Sequence, residues 1–187
     1  MPPLHSTVAI YGCGTIGASW AGFFAAQGLH VRLFDTSAQA LETGHRRACE
    51  ALDSLSAHDQ CKASNTADAR RRLVLAQDAQ ALLEGAGFIQ ESVLERYEIK
   101  REVHETIERH AAPDALIASS TSGLLASRMQ EGLRHPERFL VGSDTWIDAR
   151  WDSYGSLMTE YRGWLAQLPR EVAEKIAYRN AERLFRK

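Results

Sequence analysis

The sequence has few of the features that mark secreted, membrane-spanning or nucleic-acid-binding proteins. Its 187 residues include three cysteines, an odd number without a Cys-x-x-Cys pair, so we expect reduced thiols in a cytosolic protein. The first residues lack the basic-then-apolar order of a signal peptide, and no apolar run is long enough to cross a bilayer. A net charge of −2 gives no excess of positive charge for nucleic acid or an anionic membrane. A cytoplasmic protein without nucleic-acid or membrane partners is therefore expected.

Patterns typical of metal sites, repeats and low-complexity tracts are missing as well. No His-x-His pair occurs, and the cysteines do not have zinc-ligand spacing, so no metal site is predicted. The content of hydrophobic residues is 44% and that of charged residues 25%, which suits one well-buried globular domain with a small appendage.

A glycine turn between a buried strand and a helix is the most informative feature that the sequence does contain. Apolar residues at 7–11 predict the strand, and Gly12, Gly14 and Gly17 follow it. Gly12 permits a tight turn, Gly14 lets the backbone approach a phosphate, and Gly17 lets the helix pack close to the sheet. The helix start then directs free N–H groups and the positive end of its dipole at the anion. The pattern predicts a binding site for a dinucleotide pyrophosphate.

An acidic residue lies at the distance from this turn that such a site requires. Asp35 ends a second apolar run at 30–35, about 20 residues beyond the glycines, where its carboxylate can accept hydrogen bonds from the adenosine ribose. Thr36 and Ser37 follow it, so no arginine comes next that would neutralise a 2′-phosphate. The sequence therefore favours NAD over NADP as cofactor.

Strands and helices alternate over the first three quarters of the chain. This alternation predicts an α/β fold, a Rossmann-type, doubly wound, mostly parallel sheet covered on both faces. The polar stretch at 57–68 is predicted to be a loop with a short helical start. The predicted strands are 7–11, 30–35, 73–76, 88–93, 115–118 and 138–142, and the predicted helices are 15–27, 37–57, 78–84 and a segment containing Ile99, Val103 and Ile107.

The pattern changes after Gly142. Leu157, Tyr161 and Trp164 share one helical face, and Pro169 suits the first turn of another helix, so a helical hairpin is predicted. A hairpin this small cannot hold a core of its own and must dock on the sheet domain or on another chain. We therefore predict a nucleotide-binding domain at 5–142 and a helical tail at 143–187.

Two polar segments follow strands at the sheet edge where open α/β folds bind ligands. They are residues 90–95 (QESVLE), with Lys100 on the next helix, and residues 119–123 (SSTSG). Their hydroxyls could equally serve as turn residues, Glu95 as a helix-start acid and Lys100 as a solvated lysine. His104 and His110, on the same helix as Lys100, are predicted to be solvated.

Residues 6–142 resemble the NAD-binding domain of the 3-hydroxyacyl-CoA dehydrogenase family. The resemblance, carried by the glycine turn and the two polar segments, is strongest to its L-carnitine and L-gulonate 3-dehydrogenase branch. It implies NAD as cofactor, hydride transfer from a 3-hydroxy group, and a small 3-hydroxy acid or acyl-CoA substrate whose hydroxyl contacts Ser122. The cofactor contacts that it implies are Gly12, Gly14, Thr15, Ile16, Gly17, Asp35, Glu95, Lys100 and Ser120.

The resemblance fails where the family places its general base. Counted from Ser122, the histidine that takes the hydroxyl proton falls at position 143, where this chain has Ser143. A serine near its normal pKa is no base at neutral pH. The glutamate that orients this histidine, a later asparagine and the helical substrate and dimerisation domain of the family are not found either. The resemblance therefore implies impaired catalysis.

The tail has a resemblance of its own. Residues 142–146 (GSDTW) and 180–185 (NAERLF) resemble the C-terminal end of amidohydrolase-family barrels of the Amidohydro_2-like group, in which the acid matching Asp144 serves the metal site. Without partner histidines, Asp144 is expected to be a helix or turn cap. A chimeric chain is thus predicted, joined at its last strand.

Three functional hypotheses follow from these patterns. The first is an NAD(H)-binding descendant of the 3-hydroxy acid dehydrogenases. The second is a binding or assembly module that forms a homo-oligomer or docks on a partner subunit through Tyr161 and Trp164 of the tail. The third, which has the weakest support, is a remnant of a metal-dependent amidohydrolase.

Overall fold

The computed structural model describes residues 7–58, 60–62, 66–139, 154–180 and 182. The chain divides into two compact units, Met1–Arg134 and His135–Lys187. The division at 142–143 that the sequence predicts stays a prediction. No helix in the described part of the chain is long and apolar enough to span a membrane.

A five-stranded parallel sheet forms the centre of the first unit. Its strands have the order β3-β2-β1-β4-β5, and β1 pairs with both β2 and β4. The winding direction therefore reverses between β1 and β4, and a crevice opens there at the carboxyl ends of the strands. The predicted Rossmann-type α/β fold is confirmed. The strands are β1 Thr7–Tyr11, β2 His30–Phe34, β3 Leu73–Leu75, β4 Phe88–Glu91 and β5 Leu116–Ser119.

Helices cover the sheet, and side-chain caps begin two of them. The hydroxyl of Ser37 accepts a hydrogen bond from Ala40 N (3.2 Å), and the carboxylate of Asp78 accepts one from Ala81 N (2.7 Å). The helices described in this unit are α1 Thr15–Ala26, α2 Ala38–Ala57, α3 Thr66–Arg71, α4 Ala79–Leu83, α5 Tyr97–His110 and α6 Ala126–Met129.

Helix α3 lies partly in the stretch predicted as a loop, so that prediction is wrong at its end. The helix has six residues and buries one of them, Ala69, against Ala26 and Leu52. A single buried position gives no helical periodicity in the sequence, which is why the pattern missed it.

The second unit is helical in its described part. It contains a 3₁₀ turn at Pro136–Arg138, helices α7 Tyr154–Leu165 and α8 Arg170–Glu174, and a π-helical segment at Lys175–Arg179. The side chain of Asn180 donates to Phe139 O (3.3 Å) and to Glu137 O (2.6 Å), which ties the π-helical end to the 3₁₀ turn.

The strand predicted at 138–142 is wrong where the structure describes it. Arg138 ends the 3₁₀ turn and Phe139 forms an isolated bridge, while residues 140–142 lie outside the described residues. The proline at the first position of the turn fixes φ near helical values and favours this local geometry.

Candidate functional site

The glycine turn, residues 12–17, packs against the segment that follows β4. Gly12 has φ +94°, and a Cβ on it would lie 2.7 Å from Ser92 O. A Cβ on Gly17 would lie 2.0 Å from Gly12 O, so the start of α1 reaches the turn only without a side chain there. The two glycines place the first turn of α1 at the crevice between β1 and β4.

The start of α1 is exposed, and no acidic side chain in its first turn neutralises the positive end of the helix dipole. A Cβ on Gly14 would meet no described atom within 4 Å. Among the described residues, no side chain caps the helix and its first turn contains no acid. Thr15 and Ile16 are exposed beside it. The positive end of the α1 dipole therefore faces open space of the kind that binds an anion.

Asp35 lies against this turn rather than away from it. Its Oδ2 accepts a hydrogen bond from Cys13 N at 2.9 Å, and its Oδ1 accepts one from Ser37 N at 3.1 Å. Cys13 and Ser37, which donate these two bonds to Asp35, line a cleft of about 280 Å³ together with Gly14 and Thr43. Each carboxylate oxygen keeps a second lone pair, so Asp35 can still accept a bond from a sugar hydroxyl in this cleft.

Cys13 is a neutral thiol in the middle of the glycine turn. Burial, together with the charge of Asp35, raises the pKa of its thiol to about 12. The Sγ donates to Phe34 O at 3.4 Å. Because no thiolate forms at neutral pH, the turn presents no negative charge of its own to an incoming phosphate.

A buried ionic cluster stands behind the crevice and is centred on Glu91, the last residue of β4. Its Oε1 accepts from Lys100 Nζ (2.7 Å) and Val93 N (2.8 Å), and its Oε2 accepts from Ser119 Oγ (2.5 Å) and His104 Nε2 (3.3 Å). Burial by itself raises the pKa of Glu91, but the bonds from His104, Lys100 and Ser119 outweigh it and hold the pKa at about 2. Glu91 is thus an ionised carboxylate that joins β4, α5 and β5.

The prediction of a solvated His104 is wrong, and the alternative interpretation of Lys100 as a solvated lysine is wrong as well. Both side chains are 0% exposed. Lys100, His104 and Ile107 have the i, i+4, i+7 spacing of one helix face, and this face packs on the sheet. This spacing could have indicated from the sequence that the face is buried, but two of its three residues are polar and polar residues are usually exposed. His110, in the last turn of α5, is half-buried.

Glu95 organises the serine loop, residues 119–123. Its Oε1 accepts from Thr121 Oγ1, Ser122 N and Gly123 N at 2.8, 2.9 and 2.8 Å. Burial opposes ionisation, but these bonds and the charge of Lys100 prevail and lower the pKa of Glu95. The Oε2 lies 3.6 Å from Lys100 Nζ. Glu95 therefore connects the loop to the buried cluster.

The two serines singled out by the sequence lie in different settings. Ser120 Oγ accepts a bond from Gln90 Nε2 (2.9 Å) and shares another with Ser92 Oγ (2.8 Å), so it is part of the packing between β4 and β5. Ser122 is exposed. Ser143 and Asp144 lie outside the described residues. Within the described residues, no three His, Cys, Asp or Glu side chains group as metal ligands would.

Comparison with known proteins gives consistent matches to one group. A family model described as 3-hydroxyacyl-CoA dehydrogenase, NAD binding domain, matches residues 7–142. An L-carnitine dehydrogenase from Pseudomonas sp is 38% identical over 136 residues, which are 73% of this chain and 41% of that protein. An L-carnitine dehydrogenase/betainyl-CoA thioesterase from Rhizobium sp is 38% identical over 133 residues, 71% of this chain and 26% of that protein.

A solved structure of a related dehydrogenase also superposes on this chain. The 3-hydroxybutyryl-CoA dehydrogenase from Escherichia coli K12 superposes with a TM-score of 0.64 at 29% identity, over 71% of this chain and 28% of that chain. The chain thus spans less than half the length of each of these three proteins.

Proposed function

Because the chain belongs to the 3-hydroxyacyl-CoA dehydrogenase family through the NAD-binding domain at residues 7–142, we propose that it binds NAD(H) and that its turnover of a 3-hydroxy substrate is impaired. NAD is the cofactor of this domain. The observation that carries the proposal is the first turn of α1, which no described side chain caps and which lies beside Asp35. An uncapped helix start favours an anion, and a neighbouring carboxylate can accept from a ribose.

In this proposal, different residues of the crevice bind different parts of the cofactor. The N–H groups of Thr15 and Ile16 bind the pyrophosphate, and Asp35 accepts from the adenosine ribose. When bound, NAD supplies the nicotinamide carbon that accepts a hydride. Glu95 holds the serine loop at the edge of this site through three hydrogen bonds.

Lys100 acts indirectly in this proposal. Its Nζ is enclosed between Glu91 and Glu95, so it fixes the position of Glu95 rather than offering a free charge to the nicotinamide. Ser122, whose side chain is exposed on the serine loop, donates to or accepts from a substrate hydroxyl. Proton removal needs a base, and Ser143 stands where the family has histidine, which is the ground for proposing impaired turnover.

A fluorescence titration tests the proposal directly. NADH added to the 187-residue protein is expected to bind with a micromolar dissociation constant, and the NADH signal reports it. Oxidation of L-carnitine, L-gulonate or a 3-hydroxyacyl-CoA, followed at 340 nm, is expected to be absent or very weak. Absence of binding at millimolar NADH rejects the first part, and robust turnover of any of these substrates rejects the second.

Replacing Asp35 with alanine tests its place in this site. Asp35→Ala removes a charged acceptor, so the dissociation constant for NADH is expected to rise about tenfold, while that for NADPH rises less because the carboxylate no longer repels a 2′-phosphate. Asp53→Asn is the control, because it removes a charge from α2 that forms an exposed ion pair with Arg70 of α3. Equal losses for NADH and NADPH would refute the assignment of Asp35 to the ribose.

The other two hypotheses stay predictions. Tyr161 and Trp164 are half-buried in α7, and docking of the tail on a partner through them is testable by light scattering. The amidohydrolase-like pattern and Asp144 lie mostly outside the described residues.

A further inference from the structure

The two neighbouring arginines of α2, Arg46 and Arg47, differ in what surrounds them. Arg46 Nη1 forms an i, i+4 ion pair with Glu50 at 2.7 Å, on the exposed side of the helix. Arg47 is exposed as well but points in a different direction, and its Nη1 lies 3.5 Å from Thr15 Oγ1, in the first turn of α1. Adjacent residues of a helix face directions about 100° apart, so only one of the two can reach the glycine turn.

Close packing of α2 brings Arg47 to this position. A Cβ on Gly44 would lie 2.4 Å from Cys13 O, so α2 passes directly over the glycine turn. Arg47 is three residues further and on the same face, as i and i+3 are in any α-helix. It lines the same cleft as Cys13, Gly14 and Ser37. A side chain larger than hydrogen at position 44 would push this guanidinium away from α1.

The charge at this point is unbalanced. Among the described residues, no carboxylate lies within ion-pair distance of Arg47, whereas Arg46 has Glu50. The guanidinium stands beside the positive end of the α1 dipole, whose first turn has no acid. Two positive groups side by side repel each other, and an anion between them attracts both and so outweighs this repulsion. A planar guanidinium fork is also the side chain best matched to phosphate oxygens.

We propose that Arg47 is a further cofactor-binding residue and that its guanidinium binds the pyrophosphate of the dinucleotide at the start of α1. This inference rests on the proposed function. The pyrophosphate is favoured over a 2′-phosphate because Arg47 contacts Thr15 at the helix start, whereas a 2′-phosphate would project from the ribose that Asp35 holds.

The test compares Arg47→Gln with Arg46→Gln in NADH titrations of the 187-residue protein. Arg47→Gln is expected to raise the dissociation constant about tenfold, and Arg46→Gln is expected to change it by less than about twofold. Arg47→Lys, which keeps the charge without the fork, should fall between wild type and Arg47→Gln. The dissociation constant of wild type should also rise more steeply with KCl concentration than that of Arg47→Gln. Circular dichroism and the unfolding midpoint check that each variant is folded.

The outcomes separate this inference from the proposed function. If wild type does not bind NADH, the proposed function fails and this inference fails with it. If wild type binds and both variants bind equally well, the proposed function stands and the role of Arg47 is refuted. NADPH titrations identify the phosphate: equal fold losses for NADH and NADPH support the pyrophosphate, and a loss confined to NADPH overturns it in favour of the 2′-phosphate.

Discussion

Glu91→Ala is expected to lower the free energy of unfolding by about 3 to 5 kcal/mol, which makes it the most destabilising single substitution that we predict. The substitution removes the buried ion-pair partner of Lys100 at 2.7 Å and leaves it only the partly exposed Glu95, at 3.6 Å. It also removes the acceptor of Ser119 and His104. A buried charge that loses its nearest partner costs far more than an exposed one, because water cannot replace that partner. Urea unfolding followed by tryptophan fluorescence and circular dichroism measures the difference.

A matched control is Glu98→Ala, in the first turn of α5, the helix that contains Lys100 and His104. The Glu98 side chain is 79% exposed and lies 3.9 Å from Arg96, so its removal should change stability by less than about 0.5 kcal/mol. If Glu91→Ala does not fold, Glu91→Gln and Lys100→Met serve instead, because each breaks the pair with less loss of volume. The double variant should then be less destabilised than the sum of the two. Single variants as stable as wild type would contradict the buried-ion-pair account.

The same carboxylate should make the protein sensitive to acid. Since the pKa of Glu91 is about 2 in the folded state and 4.5 ordinarily, the folded state binds the proton less well than the unfolded state does. The stabilisation is therefore complete above pH 4.5 and is lost as the pH falls from there toward 2. Glu91→Gln should flatten this part of the stability profile, and an unchanged profile would show that other carboxyls produce it.

Gly17→Ala and Gly14→Ala are expected to separate stability from cofactor binding. A Cβ at position 17 would lie 2.0 Å from Gly12 O, so Gly17→Ala should cost about 1 to 3 kcal/mol or more and displace the turn. At position 14 a Cβ meets no described atom within 4 Å, and the backbone has φ −65°, which any residue adopts. Gly14→Ala should therefore change stability by less than about 1 kcal/mol.

NADH binding is expected to weaken in both variants. In Gly14→Ala the new methyl group occupies the path by which the pyrophosphate approaches the backbone, so the dissociation constant for NADH should rise at least about tenfold in a protein of normal stability. Unfolding curves and NADH titrations on the same preparations give the two readings. A Gly14→Ala variant that binds NADH as wild type does would show that the phosphate lies elsewhere.

The local parts of the fold were predictable. Strands β1 and β2, helices α1 and α2, and the glycine turn between Gly12 and Gly17 each follow from residues adjacent in the chain, through apolar periodicity and positions that exclude a side chain. Errors occurred where the local signal was short or misleading. Helix α3 buries only Ala69, and the segment after Pro136 forms a 3₁₀ turn in place of the start of a strand.

The site was predictable in outline only. The sequence indicated Glu95 and Lys100 as residues near the crevice but gave Glu91 no role of its own and predicted a solvated His104. The sequence did not show which strands are neighbours in the sheet. Ser119 can donate to Glu91, 28 residues earlier in the chain, because β5 pairs with β4 and places the two residues side by side.

The amino-acid sequence by itself determined that this protein forms a parallel sheet and that a glycine turn suited to an anion follows its first strand. Both features depend on residues that are close to one another in the sequence. Only the tertiary structure decided that Lys100 is held in a buried ion pair and that Arg47 lies beside the start of α1, with no carboxylate within ion-pair distance in the part of the chain that the structure describes. Strand order and the close passage of α2 over Cys13 fix these distances, and the charge of each side chain takes its effect from what lies within a few ångströms in space.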